Sequence, residues 1–398
     1  MKKKSSDRCE PGQGFASFNL DPRLCRGIVA AGFEEPRPIQ IEAVPAALDG
    51  CDVLGLAQTG TGKTAAFALP ILQRLVAAPG TAPRALIVAP TRELASQISA
   101  ELRSLARFTQ LQIATVFGGV PIHRQRKMLA MRPEVVVACP GRLLDLMQQR
   151  LVRLNHIEVL VLDEADHMFD MGFLPDIRRI LAALPRDRQN LLFSATMPSE
   201  IRSLADQILR QPRVVDVAHS QPLATIEHAL YPVEDSQKLP LLRHVLAEGK
   251  LGSAIVFTRT KHRARRLARQ LEQSGHRAVA LQGNMSQGQR DRAMDGFRQR
   301  RFDVLVATDI AARGIDVEQV SHVVNFDMPN TPDAYTHRIG RTGRSDRQGK
   351  AYTFVTRDDQ RLVSQVERRL GSAIPRREVP GIAGTPMSRA RSTGSVAR

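Results

Sequence analysis

The sequence predicts two tandem α/β domains, each a parallel sheet flanked by helices. Three observations predict this. Apolar runs 4–6 residues long recur through the first half, rich in β-branched residues and leucine and unbroken by proline. That is the look of strands buried on both faces of a parallel sheet. The intervening segments are long enough for crossover helices, so each unit reads as β-α-β. After about residue 215 the same pattern starts again.

In the first half the strands are expected at 52–57, 85–89, 112–117, 135–138, 159–162 and 191–195. In the second half they are expected at 228–233, 254–258, 278–282, 303–308, 322–326 and 351–355. The expected organisation is a flexible N-terminus at 1–14, a first domain at 15–216, a linker at 217–227 and a second domain at 228–370. The linker stretch VAHSQPLATIE has little periodicity and contains Pro222. From Gly371 to Arg398 the chain is rich in Gly, Ser, Pro and Arg, which predicts a short, basic, disordered tail.

Composition narrows the function classes. An apolar fraction of 42% excludes global disorder. No run approaches the ~18 apolar residues that span a bilayer, so no membrane association is expected. The start, MKKKSSDRCEPGQG, is basic but has no apolar stretch behind it and does not read as a signal peptide. A net charge of +17 points to a polyanionic partner, most simply nucleic acid, with a solvated basic surface as the alternative. Cys9, Cys25, Cys51 and Cys139 are too scattered for a zinc site or a disulfide framework, which fits a reducing cytoplasm.

The chemistry lies where the strands end. AQTGTGKT at 57–64 is a phosphate-binding loop. Its glycines bring backbone N–H groups to the phosphates, Lys63 adds a charge, and the Thr64 hydroxyl suits a metal. VLVLDEAD at 159–166 carries Asp163 to that metal and Glu164 to a water molecule. Past the other first-half strands come Pro90-Thr91-Arg92, Gly118-Gly119 and Cys139-Pro140-Gly141-Arg142. Small residues and arginine forks on one sheet edge suit a phosphate backbone, although each could be ordinary turn chemistry. The second half has no phosphate loop of its own. It carries His337, Arg338, Arg341 and Arg344 in YTHRIGRTGR, where the three arginines are expected on one helical face, reaching a phosphate held by the other domain. Arg263, Arg265, Arg266 and Arg269, with Lys261, are expected to form a solvated helix face, with a direct nucleic-acid contact as the alternative.

Taken in order, these residues resemble the DEAD-box RNA helicases of superfamily 2, most closely the bacterial RhlE-like group. The likeness covers residues 15–368 and includes Gly32-Phe33, Pro36, Ile39-Gln40, AQTGTGKT, PTRELA at 90–95, Gly118-Gly119, PGR at 140–142, DEAD at 163–166 and SAT at 194–196. In the second half it includes Gln287 and Arg290, ATDIAARGID at 307–316 and HRIGRTGR at 337–344. Each motif alone is weak; the ordered set is close to diagnostic.

The resemblance implies two RecA-like domains, with ATP and Mg2+ as cofactors and RNA as partner. It implies an ATP site of Phe15, Phe33, Gln40, Ala57, Gln58, Thr59, Gly60, Thr61, Gly62, Lys63, Thr64 and Asp316, with Phe15 against the base and Phe18 competing for that role. Gln40 would read the adenine edge, which an amide can do bidentately. Thr64 and Asp163 would hold the metal; Lys63, Asp163, Glu164, Arg341 and Arg344 would form the catalytic set. Asp166, Ser194, Thr196 and His337 would couple it to RNA. RNA would meet Pro90, Thr91, Arg92, Gly118, Gly119, Pro140, Gly141, Arg142, Gln287, Arg290, Thr308 and Asp309. Three positions depart from common patterns: Cys139 for a threonine, Asn284 for an aspartate, and Ala57 for the glycine of the general phosphate loop.

The implied activity is an RNA-dependent ATPase that separates short duplexes or remodels RNA–protein complexes by domain closure. The alternatives are an ATP-gated RNA clamp and a DNA-translocating helicase. The chain is expected to be a cytoplasmic monomer acting on a ribosomal precursor or with RNA-degradation machinery.

Overall fold

A computed structural model describes residues 13–57, 60–78, 80, 83–217, 226–248, 252–312, 320–343, 348–380 and 382; for Gln13, Glu248, Gln287 and Ile310 it describes the backbone alone. The chain forms two compact units, the first holding seven strands and the second six.

The strands of the first unit are β1 (Val53–Leu56), β2 (Ala85–Val88), β3 (Ile113–Val116), β4 (Val135–Ala138), β5 (Val159–Leu162), β6 (Gln189–Ser194) and β7 (Arg213–Asp216). They lie in the order β3-β4-β2-β5-β6-β1-β7, every pair parallel. Successive residues of one strand face opposite layers of helices. Ala85 and Ile87 of β2 join a core with the helix Lys63–Ala77, while Leu86 and Val88 join a second core with the helix Pro140–Gln148. Both faces are therefore apolar, which is why the strands read as unbroken runs rather than alternations.

The strands of the second unit are β8 (Ile226–Pro232), β9 (Ala254–Phe257), β10 (Ala278–Leu281), β11 (Val304–Ala307), β12 (His322–Asn325) and β13 (Gly349–Val355). Their order is β10-β11-β9-β12-β13-β8, again all parallel. All twelve expected strands are present.

Three differences have physical reasons. β7 was not expected: RVVD is an edge strand in which only Val215 is buried, so it carries no apolar run. β8 begins at Ile226, inside the expected linker, whose residues 218–225 lie outside the described residues. Beyond Gly371 the chain does not lose structure at once. The Leu230 N–H donates to the Pro375 carbonyl and Arg377 N–H to the Leu230 carbonyl, both at 2.8 Å. Ile374 is buried and Arg376 pairs with Glu367 at 3.1 Å. The chain thus keeps packed structure past Gly371, at least to Arg377; of the expected disordered tail, residues 381 and 383–398 lie outside the described residues.

Candidate nucleotide site and nucleic-acid interface

The sheet order puts β5, β6 and β1 side by side, so the loops at their carboxyl ends converge. After β1 the chain turns through Gly60 and Gly62, both at positive φ (88° and 92°), and enters the helix Lys63–Ala77. Glycine makes that left-handed turn without the strain of a Cβ. Lys63 is buried; its Nζ donates to the Ala57 carbonyl at 3.1 Å and lies 3.8 Å from Asp163 Oδ1. Thr64, one residue on, is half-buried. Gln58 and Thr59 lie outside the described residues.

Asp163 follows β5 and is 1% exposed. Burial pushes its carboxyl up to about 6, and the attraction of Lys63 works against that shift. A buried carboxylate with one distant counter-charge is an electrostatic demand for a cation. Among the described residues no three His, Cys, Asp or Glu side chains cluster as a metal cage. Magnesium does not need one, since it binds through one or two protein oxygens plus substrate phosphates. Asp163 and Thr64 fit that donor set.

Glu164 adopts the left-handed conformation (φ 51°, ψ 55°), unusual for a side chain with a Cβ. Its N–H donates to Asp163 Oδ1 at 2.9 Å, and its Oε2 lies 3.1 Å from His167 Nδ1. Asp166 accepts from the Thr196 N–H and hydroxyl at 3.0 and 2.9 Å, and its own N–H donates to Ser194 Oγ at 3.1 Å. The structure thus joins three of the expected coupling residues, Asp166, Ser194 and Thr196, in one network. The fourth, His337, lies in the second unit on the helix Pro332–Ile339.

The adenine side differs from expectation in detail. Gln40 is buried; its amide donates to the Gly62 carbonyl at 3.0 Å and accepts from Arg37 N–H at 2.9 Å. Beyond these two bonds the amide keeps a second hydrogen and a second lone pair. Phe15 is fully buried, edge-on to Phe18 and Phe33 at centroid distances of 5.9 and 6.1 Å. The resemblance put Phe15 against the base; here its ring has no exposed surface. Phe33, half-buried, is the member of that pair with accessible surface. Arg37 was missed: its guanidinium donates to the Gly60 carbonyl, tying the adenine element to the phosphate loop. Its place three residues before Gln40, the spacing of a capping box, was the available signal.

β3, β4 and β2 are also neighbours, which brings the other loops of the first unit together. Pro90 and Thr91 lead into the helix Arg92–Leu105, and Thr91 Oγ1 caps it by accepting from Leu94 N–H at 3.2 Å. The Arg92 guanidinium lies over Gly118 and Gly119, so close that a Cβ on Gly119 would sit 2.0 Å from Nη1. Pro140 and Gly141 open the helix Pro140–Gln148, and Gly141 has open space around it. Arg142 donates to the Val120 carbonyl at 3.0 Å, holding that helix start to the loop after β3. Two helix N-termini and two arginines thus share one edge, an arrangement suited to anions. Cys139, the departure, is buried, and burial pushes its thiol up to about 12, so it stays an uncharged packing residue.

In the second unit the expected arginine face does not form. The helix ends at Ile339, so Arg341 lies beyond its cap, and Arg344 is outside the described residues, as is Asp316. Arg338 is buried and faces inward. It grips Asp309 with two donors and reaches Asn325 Oδ1 at 3.2 Å and the Asp327 carbonyl at 2.7 Å. Asp309, expected at RNA, is engaged by that fork. Arg341 is also buried. Thr308 starts the turn Asp309–Ala312, and Arg290 reaches the Gln282 carbonyl at 3.5 Å from the helix Gln287–Arg298. The Gln287 side chain is outside the description.

Comparisons with known proteins agree with this layout. The DEAD/DEAH box helicase family model matches residues 37–204, and the helicase conserved C-terminal domain matches 237–346. The chain is 41% identical to the DEAD-box ATP-dependent RNA helicase CshA of Geobacillus kaustophilus, over 92% of this chain and 78% of that one. It is 44% identical to the ATP-dependent RNA helicase CshA of Listeria monocytogenes over 86% of its own length, spanning 66% of that relative. Among solved structures it resembles S. cerevisiae Dbp5 bound to RNA and ADP BeF3, with TM-score 0.83, 33% identity and coverage of 92% and 96% of the two chains. The motifs in their order, the paired parallel sheets and these matches converge: the chain belongs to the DEAD-box family of ATP-dependent RNA helicases.

Proposed function

We propose that the chain is an RNA-dependent ATPase that separates short RNA duplexes or remodels RNA–protein complexes. The observation that carries this reading is the buried Lys63–Asp163–Glu164 constellation at the carboxyl ends of β1 and β5. Lys63 and the turning backbone at Gly60 and Gly62 hold the phosphates of ATP, and Glu164 orients the attacking water. Thr64 and Asp163 would hold Mg2+, which would supply charge neutralisation on the phosphates. Closure of the two units supplies Arg341 and Arg344, and arginine fingers contribute roughly 10³–10⁵ in rate. Turnover therefore depends on RNA, because RNA favours the closed state. The edge formed by Arg92, Gly119 and Arg142 grips the RNA backbone, which gives little sequence preference and steep salt dependence.

The solved Dbp5 relative holds RNA, as does the Mss116 structure with ssRNA and UDP-BeF, and both support an RNA partner. The finer assignments rest on the same reading. The likeness to the RhlE-like group comes from the motifs, whereas the relatives matched are CshA proteins. A cytoplasmic monomer acting on a ribosomal precursor or alongside RNA-degradation machinery suits the basic charge, and among the described residues no helix is long and apolar enough to cross a membrane.

The test is Glu164→Gln. It is expected to bind ATP and RNA normally while RNA-stimulated turnover falls at least ~100-fold, the scale of a lost general base. Near-normal turnover would overturn the role of Glu164.

A further inference from the structure

His167 sits one turn after Glu164 on the helix Ala165–Asp170, and both side chains are buried, 5% and 7% exposed. Its Nδ1 lies 3.1 Å from Glu164 Oε2. Its Nε2 is buried and meets no hydrogen-bonding partner among the described residues. The His167 main chain is held at both ends: its backbone N–H donates to Asp166 Oδ1 at 3.0 Å, and its carbonyl accepts from Met171 N–H at 3.1 Å.

We propose that His167 is a positioning residue for ATP hydrolysis, fixing the Glu164 carboxylate through Nδ1–H. The inference rests on Glu164 being the water-orienting group. A carboxylate only accepts hydrogen bonds, so the contact requires the hydrogen on Nδ1. In the neutral ring that choice leaves Nε2 as a buried acceptor; a buried acceptor left unmade costs about 1–3 kcal/mol. Glu164 holds a left-handed backbone (φ 51°). Asp163 Oδ1 grips its N–H and His167 its carboxylate, so backbone and side chain are fixed from opposite ends.

Geometry at this level matters because a misplacement of about 1 Å can cost ~100-fold in rate. His167 does not touch ATP or RNA in this reading, so its loss is expected in kcat and not in binding.

The experiment compares four full-length proteins: wild type, His167→Phe, His167→Asn and Glu164→Gln, with the double variant of Phe at 167 and Gln at 164. Phenylalanine keeps the ring volume without a donor; asparagine places an amide N–H near Nδ1. His167→Phe is expected to lower RNA-saturated kcat about 10–100-fold, with KM for ATP and RNA affinity within twofold. His167→Asn is expected to recover at least half of that loss on a logarithmic scale. In the Glu164→Gln background, His167→Phe is expected to add less than twofold, since the group it positions is gone. The inference is overturned if His167→Phe keeps wild-type kcat while Glu164→Gln is inactive. It is also overturned if His167→Phe lowers the residual turnover of Glu164→Gln by its full factor, which marks a structural effect. Should His167→Phe fold poorly, the Asn variant decides: a kcat as low as that of Glu164→Gln with normal thermal melting overturns it. Near-normal turnover by Glu164→Gln itself defeats the underlying reading instead.

Discussion

Arg338→Ala tests whether the second unit is held by an inward-facing fork. Arg338 is 3% exposed and makes four hydrogen bonds, two to Asp309 and one each to Asn325 and the Asp327 carbonyl. Truncation leaves Asn325 Oδ1 and the Asp327 carbonyl buried without this donor, at about 1–3 kcal/mol each. The Asp309 side chain is 28% exposed and turns to water, so it adds little. The total, ~2–6 kcal/mol, brackets the ~3–5 kcal/mol usual for breaking a buried pair from one side. The assay follows from composition. The chain has no tryptophan and three tyrosines, Tyr231, Tyr335 and Tyr352, all in the second unit. Tyrosine fluorescence in urea therefore reports that unit alone. With a slope near ~2 kcal/mol per molar urea, the midpoint is expected to fall by ~2 M. Arg338→Lys, which keeps the charge but loses the fork, is expected to fall about half as far. A loss below ~1 kcal/mol for Arg338→Ala would refute the reasoning. So would an equal loss from Asp309→Asn, whose oxygen still accepts one of the two donors.

Three further outcomes are expected. Gly27→Ala places a Cβ 2.0 Å from the Leu105 carbonyl, where the helix Pro22–Ala30 crosses Arg92–Leu105, and should destabilise the first unit by about 3 kcal/mol in circular-dichroism melts. Gly119→Ala meets only the tip of Arg92 but keeps φ at +77°, so it should cost ~1 kcal/mol of stability. By displacing Arg92 it should also weaken RNA binding about tenfold in fluorescence anisotropy; wild-type affinity would remove Arg92 from the interface. His322 is held down to about 4 by burial, then by Lys350, against an ordinary value of 6.5. Its unfolded form takes up the proton first, so its contribution is complete above 6.5 and is lost as pH falls through about 4. The loss should be ~1–3 kcal/mol by tyrosine fluorescence, and His322→Gln should flatten that pH dependence.

The same physics explains what the sequence showed and what it hid. β2 and β4 announce themselves because both faces are buried, so ALIV and VVVA carry no polar interruption. β7 is hidden because an edge strand with one buried residue has no such pattern. The phosphate loop and Asp163 are legible because their chemistry demands particular residues within a few positions of one strand end. The contacts that hold them are not, since they join distant positions. Arg37 meets Gly60 and Arg338 meets Asp309 across 23 and 29 residues. Phe15 shows the converse. Motif register assigns it a place but not a direction, and the packing of Phe18 and Phe33 turns its ring inward.

Arginine illustrates why composition alone misleads about function. A charge of +17 invites reading every arginine as a nucleic-acid contact. Yet Arg338, in the arginine-bearing stretch YTHRIGRTGR, is buried on Asp309, and Arg263 pairs with Asp235 at 2.7 Å and Asp327 at 3.3 Å. Arg92 and Arg142 are half-buried; Arg92 packs over Gly118 and Gly119, and Gly141, next to Arg142, has open space around it. Arg338 fills its fork with Asp309 inside the fold, whereas Arg142 bonds the Val120 carbonyl at 3.0 Å and pairs at 3.4 Å with Asp145, whose side chain is 44% exposed.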